Sequence, residues 1–550
     1  MKKILFLLLP TTPYYKFSES DNSVYKGVFA PSLPLGIASI SAYLKKNVGN
    51  IVINAVDITE LIHNANAEDD ELQERSKNLD YTNIVSDVLK RYENDPPDII
   101  GISALYNIVF TNVVYTSKLI KQFFPSSLLV VGGALVSTMY HQLLTEAPVI
   151  DALCFGEGEQ PLFELISADD IHNYLSASKS WITKEKVNLR PEMQYEVTYV
   201  DDYDSLPFPD YDLFDLDRYQ KFNRDHSKKT NKYVASVIFS RGCPFDCNFC
   251  VANMLHGRKV RHYSAAKAKE YVKYMIGKFH VTGLAIEDNN FLFNKKWSVE
   301  MLLFLAEQDI EIDLTNGLYI NSLDEELILL LKKAKLNNML FPIESGSKRV
   351  LRELMNKNTD LEHAKKMILF CHAQSLQVQA NFIVGYPGET PDDIEKTRAF
   401  VEDIGVFDWV RFFAATPFHG SHLYKLCKEN DYLVTEEYDK FSGDYPIIKT
   451  PEFTPEDIQF LSYKLNLLYN FVNNYKMKTG DYSGALNRFL QIEKKVEGHA
   501  FALYYGGICC EKLGDYERAK ELFARYAKSI NDNKEWKMWN DLFSLPPLKI

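Results

Sequence analysis

The stretch Ser240-Arg-Gly-Cys-Pro-Phe-Asp-Cys-Asn-Phe-Cys250 follows an apolar, strand-like run and places three thiols close together. Cys243, Cys247 and Cys250 are separated by three and then two residues, a spacing that suits one face of a compact soft-metal centre. Iron–sulfur clusters usually take four thiolates. Three thiolates therefore leave one iron open for another ligand, and Phe249 puts an aromatic ring beside that position.

The cysteine spacing resembles that of the radical S-adenosylmethionine (SAM) superfamily. The resemblance implies a 4Fe-4S cluster whose open iron takes the amino and carboxylate groups of SAM. It also implies that the reduced cluster cleaves SAM and releases a 5′-deoxyadenosyl radical. The alternative is a Cys3His zinc knuckle that borrows His256 or His262, because structural zinc takes four ligands.

Length and charge limit the classes of protein that the chain can represent. Its 550 residues are enough for about three to four domains. A net charge of −12 argues against nucleic acid as a main partner, since binding phosphates needs a basic surface. Eight cysteines, three of them in one motif, do not form a disulfide framework, and no stretch has the apolar length of a membrane span. We therefore expect a cytoplasmic protein that binds neither nucleic acid nor membrane.

Residues 1–165 alternate short apolar runs with helical patterns, which predicts a doubly wound, flavodoxin-like α/β domain. The predicted strands are Ile4–Leu9, Ile51–Val56, Ile99–Ser103, Leu128–Val131 and Ala152–Phe155. The predicted helices are Leu35–Lys46, Thr111–Phe123 and Ala134–Leu144. Ligands of such sheets bind beyond the carboxyl ends of the strands.

The loops at those strand ends resemble the cobalamin-binding domains that are fused to radical SAM enzymes. The residues that carry the resemblance, and that we expect to contact cobalamin, are Leu105, Tyr106, Asn107, Gly132, Gly133, Gly156, Glu157 and Gly158. The region lacks the Asp-x-His-x-x-Gly motif of methionine synthase, so the resemblance implies cobalamin with no histidine ligand from the protein. The loop of Leu105–Asn107 is the candidate for the lower face of the cobalt. A flavodoxin-like domain with another ligand, or with none, is the alternative.

Residues 166–230 are polar and weakly patterned, and we interpret them as a linker that ends in a proline-rich segment. Residues 231–430 again alternate strand and helix, which predicts a partial (β/α)6 barrel of the TIM type with its chemistry at the carboxyl ends of the strands. The predicted strands are Val234–Phe239, Leu284–Glu287, Asp313–Asn316, Met339–Ile343, Gln379–Val384 and Trp409–Ala414.

Polar clusters follow three of these strands, and each has a task in a SAM site. Glu287 or Asp288 is expected to accept hydrogen bonds from the SAM ammonium group. Glu344 and Ser345 are expected to hold the ribose hydroxyls. The turn that begins at Gly385 is expected to let the backbone approach the adenine.

Residues 431–550 are mostly helical in pattern. The segment Gly480-Asp-Tyr-Ser-Gly-Ala485 is echoed 34 residues later by Gly514-Asp-Tyr-Glu-Arg-Ala519, which is the tetratricopeptide period. Docking of a peptide or a carrier protein is one interpretation of this tail, and a structural cap on the barrel is the other.

The order of domains resembles the cobalamin-dependent radical SAM enzymes, most of which are methyltransferases. The resemblance implies methyl transfer to an unactivated carbon of a small-molecule or peptide substrate, with electrons from a reductase such as flavodoxin or ferredoxin. A non-methylating radical reaction such as ring closure, contraction or rearrangement is the alternative within enzymes. A binding protein that presents a peptide through its tail is the alternative outside them.

Overall fold

The structure is a computed structural model that describes residues 1–14, 33–65, 80–190, 192–220, 233–336, 338–443 and 445–546. Its first domain is built on a six-stranded sheet in the order β2-β1-β3-β4-β5-β6. The strands are β1 Lys2–Leu8, β2 Ile51–Asp57, β3 Ile99–Ser103, β4 Leu128–Gly132, β5 Ala152–Cys154 and β6 Trp181–Ile182. All neighbours are parallel except β5 and β6. The doubly wound α/β fold is confirmed.

Helices accompany this sheet because each parallel crossover needs one. They are α1 Leu35–Asn47, α2 Ile58–Ala65, α3 Tyr81–Lys90, α4 Phe110–Phe123, α5 Ala134–Glu146, α6 Glu159–Ser167, α7 Ile171–Ala177 and α8 Lys184–Leu189. The central strands read as continuous apolar runs because both of their faces are buried. Two separate apolar cores, one on each face of the sheet, hold the layers together.

The structure differs from the predicted linker at residues 171–190, which form α7, β6 and α8. Trp181 and Ile182 are fully buried, and β6 adds an antiparallel edge to the sheet. The sequence pattern that would predict β6 was weak because this strand has only two residues. Residues 192–215 form no strand and no helix longer than one short turn. Residues 216–220 are helical. The domain boundaries themselves stay predictions.

The second domain is a partial barrel made of two three-stranded parallel sheets, in the orders β11-β10-β7 and β12-β13-β14. The strands are β7 Val234–Val237, β10 Gly283–Ile286, β11 Glu311–Leu314, β12 Asn338–Glu344, β13 Gln377–Val384 and β14 Trp409–Ala414. A bridge between Ile312 and Leu336 connects the two sheets. A short antiparallel pair, β8 Ser240–Arg241 and β9 Arg261–His262, flanks the cysteine stretch.

The barrel strands alternate with helices on the outside. The helices of this domain are α9 Ala252–His256, α10 Ala265–Phe279, α11 Lys295–Glu307, α12 Glu325–Lys333, α13 Leu361–Ala373, α14 Pro391–Ile404 and α15 His422–Glu429. One large apolar core lies between these helices and the strands. The six predicted strands are all present, with ends that differ by a few residues.

The last part of the chain is helical: α16 Pro455–Leu467, α17 Tyr475–Lys478, α18 Tyr482–Lys495, α19 Ala500–Lys512, α20 Tyr516–Asp532 and α21 Lys534–Phe543. Thr454 begins α16 with a capping box. Gly480 and Gly514 have φ of +83° and +80°, so the two sequence echoes begin with the same turn. The tetratricopeptide assignment remains a prediction. No helix in the described part of the chain has the length and apolar character that a membrane crossing requires.

Two asparagines of the tail cover the free edge of β14. Asn470, in the turn after α16, accepts from the Val410 N–H at 2.9 Å and donates to the Val410 carbonyl at 2.7 Å. Asn466 does the same for Phe412, at 3.0 and 2.9 Å. Because the side-chain amides carry both a donor and an acceptor, they replace the neighbouring strand that an edge otherwise lacks.

We expect Asn470→Leu to destabilise the protein, because the Val410 N–H and carbonyl lose their partners inside an apolar contact. The expected cost is about 1–3 kcal/mol for each buried group left unpaired. Urea unfolding measures it. Gln459→Ala, on the exposed side of α16, is the matched control and should change stability by no more than about 0.5 kcal/mol. Equal shifts in both variants would show that the edge hydrogen bonds contribute nothing.

Candidate functional site

The cysteine loop follows β8 at the mouth of the barrel. Cys243 and Cys247 are half-buried, Cys250 is exposed, and all three are free thiols. Gly242 has φ of +102°, and a Cβ there would lie 2.5 Å from the Lys259 carbonyl oxygen, so the loop before the first cysteine requires glycine. Burial raises the pKa of Cys247 to about 11, while the charge of Lys357 opposes this rise.

The spacing of the three thiols suits a cluster. In the described part of the chain, no group of three or more His, Cys, Asp or Glu side chains surrounds one metal position. The three cysteines of a cubane bind different irons, so they need to lie around a cluster and not around one atom. His256, which the zinc alternative would use, has its Nδ1 2.8 Å from an oxygen of Glu157. His262 packs against the rings of Phe293 and Trp297.

Asp288 and Glu287, which the sequence could not separate, have different environments. Asp288 is buried and accepts hydrogen bonds from the Phe239 N–H at 2.7 Å and from the Ser240 hydroxyl at 2.5 Å. Burial raises the pKa of Asp288 to about 7 against these hydrogen bonds. Its carboxylate thus holds the start of the cysteine loop. Glu287 is only half-buried and is oriented by hydroxyls of two neighbouring strands, Ser236 and Thr315, each at 3.0 Å.

Lys357 is the site residue that the sequence interpretation missed. Its ammonium group pairs with Glu344 at 3.1 Å and lies 5.9 Å from the ring centroid of Phe249. Both partners of the ion pair are buried, and Glu344 has φ of +72°, a strained conformation for a non-glycine residue. The charge of Lys357 lowers the pKa of both Cys243 and Cys247 against the effect of burial, so Lys357 lies close to these cysteines. Lys357 lies far from the cysteines along the sequence, so no sequence motif indicates that they meet.

Ser345 and Gly385 both pack closely against other parts of the protein. Ser345 is fully buried, and its hydroxyl lies 3.2 Å from that of Thr397 and accepts from the Ser347 N–H at 3.1 Å. This hydroxyl therefore supports the loop that follows β12. At Gly385, a Cβ would lie 2.6 Å from a carbon of Ile458 in α16. This glycine is thus needed for packing of the tail as well as for its φ of +77°.

Glu389 closes the turn after β13. It is buried, and its carboxylate accepts from the Gly385 N–H at 2.7 Å and the Tyr386 N–H at 3.3 Å. Burial raises the pKa of Glu389 from 4.5 to about 8. Because this pKa is higher in the folded state than in the unfolded state, the stability associated with its proton is present at low pH. It is lost as the pH rises from about 5 to about 8.

We therefore expect Glu389→Gln, which cannot ionise, to gain stability relative to the wild type as the pH is raised over this range. The gain should reach a few kcal/mol, since one pKa unit corresponds to about 1.4 kcal/mol. Urea unfolding at pH 5 and pH 8.5 tests it. Glu395→Gln, on the exposed face of α14, is the control and should follow the wild type at both pH values. A constant difference between Glu389→Gln and wild type would contradict the prediction.

A large cleft opens at the carboxyl ends of the first sheet, where cobalamin was expected. It offers about 1010 Å³ of space free of protein atoms, open solvent included. Its first-domain walls include Leu105, Gly132, Gly133, Gly156, Glu157 and Gly158 from the predicted set. Ile238, Arg241, Leu255 and His256 of the barrel line the opposite side. Its size and its glycine-lined walls fit a large planar cofactor.

Close backbone packing explains the glycines in the cleft wall. Gly133 has φ of +111°, and a Cβ there would lie 2.3 Å from the carbonyl oxygen of Ala104. Leu105 and Tyr106 are 49% and 59% exposed, so they are free to touch a ligand. Asn107 of the same loop is less free to touch a ligand, because its side-chain amide lies 3.1 Å from His419 Nδ1 in the barrel domain.

Glu157 lines the cleft and also connects it to the cysteine loop. Its carboxylate accepts from Arg241 at 3.1 Å, from Arg261 at 3.0 Å and from His256. Arg241, two residues before Cys243, also pairs with Glu159 at 2.8 Å. Burial disfavours the charge on Glu157, yet the charge of Arg241 and the hydrogen bonds from His256 and Arg261 hold its pKa well below the ordinary value. These contacts thus order the loop of Glu157 and the cysteine loop at the place where the two loops meet.

Comparison with known proteins agrees with this arrangement. Residues 30–166 match the B12 binding domain, and residues 237–401 match the radical SAM superfamily. An uncharacterised methyltransferase of Pyrococcus horikoshii is 26% identical over 466 residues, which cover 84% of this chain and 90% of that protein. Cytidylyl-2-hydroxyethylphosphonate methyltransferase of Streptomyces wedmorensis is 26% identical over 470 residues, covering 80% and 86%.

Two solved structures share the fold. The cobalamin-dependent SAM radical enzyme OxsB, solved with aqua-cobalamin and SAM, matches with a TM-score of 0.63 and 14% identity over 98% of this chain and 84% of that chain. The radical SAM methyltransferase TsrM of Kitasatospora setae, solved with cobalamin and a [4Fe-4S] cluster, matches with a TM-score of 0.58 and 13% identity, covering 95% and 100%.

A B12-binding domain in front of a radical SAM barrel defines an enzyme that uses a 4Fe-4S cluster, SAM and cobalamin. The chain belongs to the cobalamin-dependent radical SAM enzymes. The family, fold and cofactors expected from the sequence are confirmed. The individual residues assigned to SAM and cobalamin remain predictions.

Proposed function

We propose that this enzyme transfers a methyl group to an unactivated carbon of a small-molecule or peptide substrate. The observation that carries the proposal is the shared wall of the two sites. Arg241 lines the cleft of the first domain and lies two residues before the first cysteine of the barrel. When bound, the cluster supplies the electron that cleaves SAM, and cobalamin carries the methyl group. Two relatives that cover 84% and 80% of the chain are methyltransferases.

The side chains around this junction orient the reactants and exclude water. We propose that Cys243, Cys247 and Cys250 hold the cluster, with Phe249 beside the open iron. Glu287 is the better candidate than Asp288 for the SAM ammonium group, because its carboxylate is only half-buried. Although Tyr106 is 59% exposed, partial desolvation and then the Glu287 carboxylate raise the pKa of its phenol, so Tyr106 lies within electrostatic range of Glu287. The loop with Tyr106 thus faces both sites.

Three further parts of the proposal concern the partners of the enzyme and its location in the cell. The net charge of −12 supports the absence of a nucleic-acid partner. The need for single electrons supports a reductase such as flavodoxin or ferredoxin as donor. Eight free thiols support a reducing, cytoplasmic setting.

A second candidate function is radical ring closure without methyl transfer. It is favoured by an anaerobic magnesium-protoporphyrin IX monomethyl ester cyclase of Rubrivivax gelatinosus, which is 26% identical over 359 residues and covers 64% of this chain. The same set of strand-end residues would serve either reaction, because the substrate and not the cluster decides the fate of the radical after hydrogen abstraction.

Product analysis separates the two functions. The full chain is reconstituted anaerobically with iron, sulfide and hydroxocobalamin and is then turned over with dithionite and SAM. Methyl transfer predicts 5′-deoxyadenosine together with S-adenosylhomocysteine. Deoxyadenosine without S-adenosylhomocysteine would favour the cyclase-like reaction. The absence of both products from protein that holds its full complement of iron and cobalamin would refute both.

A further inference from the structure

The inner face of the barrel carries an arginine that has no acidic partner. Val410, Phe412 and Ala414 of β14 point outward, into the apolar core between strands and helices. Side chains alternate along a strand, so Arg411 points inward, to the lumen. In the described part of the chain no carboxylate lies within 4 Å of its guanidinium, whereas the two deeply buried arginines, Arg241 and Arg261, both pair with Glu157.

A second arginine reaches the same region from the tail. Arg488 of α18 stacks on the indole of Trp409, with its guanidinium carbon 4.6 Å from the ring centroid. Trp409 precedes Arg411 by two residues on the same strand and therefore on the same face. The only polar contact that the described residues give Arg488 is 3.4 Å to Gln491, and none is with a carboxylate.

The two cations are close enough to repel each other. Burial lowers the pKa of both guanidinium groups, and the charge of Arg411 lowers that of Arg488 further. Asn381 of β13 is in register with Arg411, and its Oδ1 is buried with no hydrogen-bond partner. Two half-buried like charges are unfavourable unless an anionic ligand compensates them, whereas the Asn381 Oδ1 requires a hydrogen-bond donor.

Carboxylates occupy the other half of the lumen. Asp313 of β11 and Glu287 lie on the β10–β11 side, and burial raises the pKa of Asp313. Neither pairs with Arg411 or Arg488, so the lumen has a positive wall on β14 and a negative wall opposite. Arginine's planar donors match the oxygens of phosphate, phosphonate or carboxylate, which makes the positive wall selective for that chemistry.

We propose that Arg411 and Arg488 bind an oxyanion group of the substrate inside the barrel, with the acceptor oxygen of Asn381 left for a donor group of the same substrate. This assignment rests on the proposed function, since it takes the lumen to be the substrate site. It identifies the substrate as an acid whose charged end lies toward the start of β14. Its reacting carbon lies toward the strand ends that carry the cysteine loop. The tail, which supplies Arg488, then contributes directly to the substrate site.

Titration of the full-length, cofactor-loaded protein with inorganic phosphate tests the assignment, with sodium acetate as a parallel titrant and ionic strength held constant with sodium chloride. Calorimetry should show saturable binding of one of the two anions to the wild type. Arg411→Gln and Arg488→Gln should each weaken it by about tenfold or more, the effect of losing one charged hydrogen bond. Arg518→Gln, an exposed arginine of the same helical region, should bind like the wild type.

Asn381→Asp provides a test that does not depend on removing an arginine. It keeps the size of the side chain and places a carboxylate in register with Arg411, so the anion should no longer bind although the fold is retained. Phosphate binding without acetate binding would identify a phosphate or phosphonate, and the reverse a carboxylate. Non-saturable titration by both anions, or equal affinity in all variants, would overturn the oxyanion site. SAM cleavage by the same wild-type preparation reports separately on the proposed function.

Discussion

The Cys243→Ala variant is expected to form no detectable 5′-deoxyadenosine from SAM and dithionite. The chain offers three thiolates for the cluster, one fewer than iron–sulfur clusters usually have. Removing one leaves two, which cannot keep a cubane in place and leave a single iron open. Iron and sulfide content, the visible absorption of the reconstituted protein and deoxyadenosine yield are the measurements.

Cys371→Ala is the control for this experiment. Cys371 is fully buried in α13, and burial raises its pKa to about 12, so its thiol behaves as a small apolar side chain. The control should keep the iron content and deoxyadenosine yield of the wild type. A Cys243→Ala protein that retained both would exclude Cys243 as a cluster ligand.

The largest effect on stability is expected from Arg241→Met. The methionine fills a similar volume but, among the described residues, leaves the buried carboxylate of Glu159 with only the hydroxyl of Ser39, at 2.6 Å, as a partner. Breaking a buried ion pair by removing one member typically costs about 3–5 kcal/mol, because the other charge stays buried without compensation. Since Arg241 also lines the cleft, the variant should lose cobalamin on gel filtration.

Arg258→Met is a matched control for Arg241→Met, because it removes an arginine from the same region of sequence. Arg258 has a side chain that is 62% exposed and pairs with Asp246 at 3.3 Å. Exposed pairs of this kind contribute about 0–1 kcal/mol. Urea unfolding of the two variants should therefore differ by several kcal/mol. If their losses are equal, the junction between the loops does not depend on the buried charges.

The sequence could place site residues only where the order of strands and loops fixes their position. Parallel strands place their carboxyl ends at one edge, so the cysteines, Glu287 and Glu344 had to meet there once the strands were recognised. The glycines at 132, 133 and 156 were identified for a similar reason, because turns after buried strands require close backbone approach.

The sequence could not predict the directions of individual side chains. Ser345 lies at a strand end and turns its hydroxyl to the Ser347 N–H, and Glu157, in the wall of the cleft, accepts from two arginines. Lys357 was missed because its contact with Phe249 depends on the path of a loop and not on a motif. The sequence pattern predicts the position of a residue along its strand. The direction of its polar group depends on the hydrogen bonds that it forms in the folded chain.

The asparagine pair on the edge of β14 makes the barrel dependent on the helices of the tail. A barrel expressed without α16 would present the open backbone of β14 to other molecules, and an unpaired apolar strand edge recruits further strands. Asn466 and Asn470 thus attach the tail to the barrel and also prevent self-association through the edge of β14. The tail and the barrel therefore constitute a single folding unit, and insertions or exchanges between them would be expected to yield aggregates rather than a smaller active enzyme.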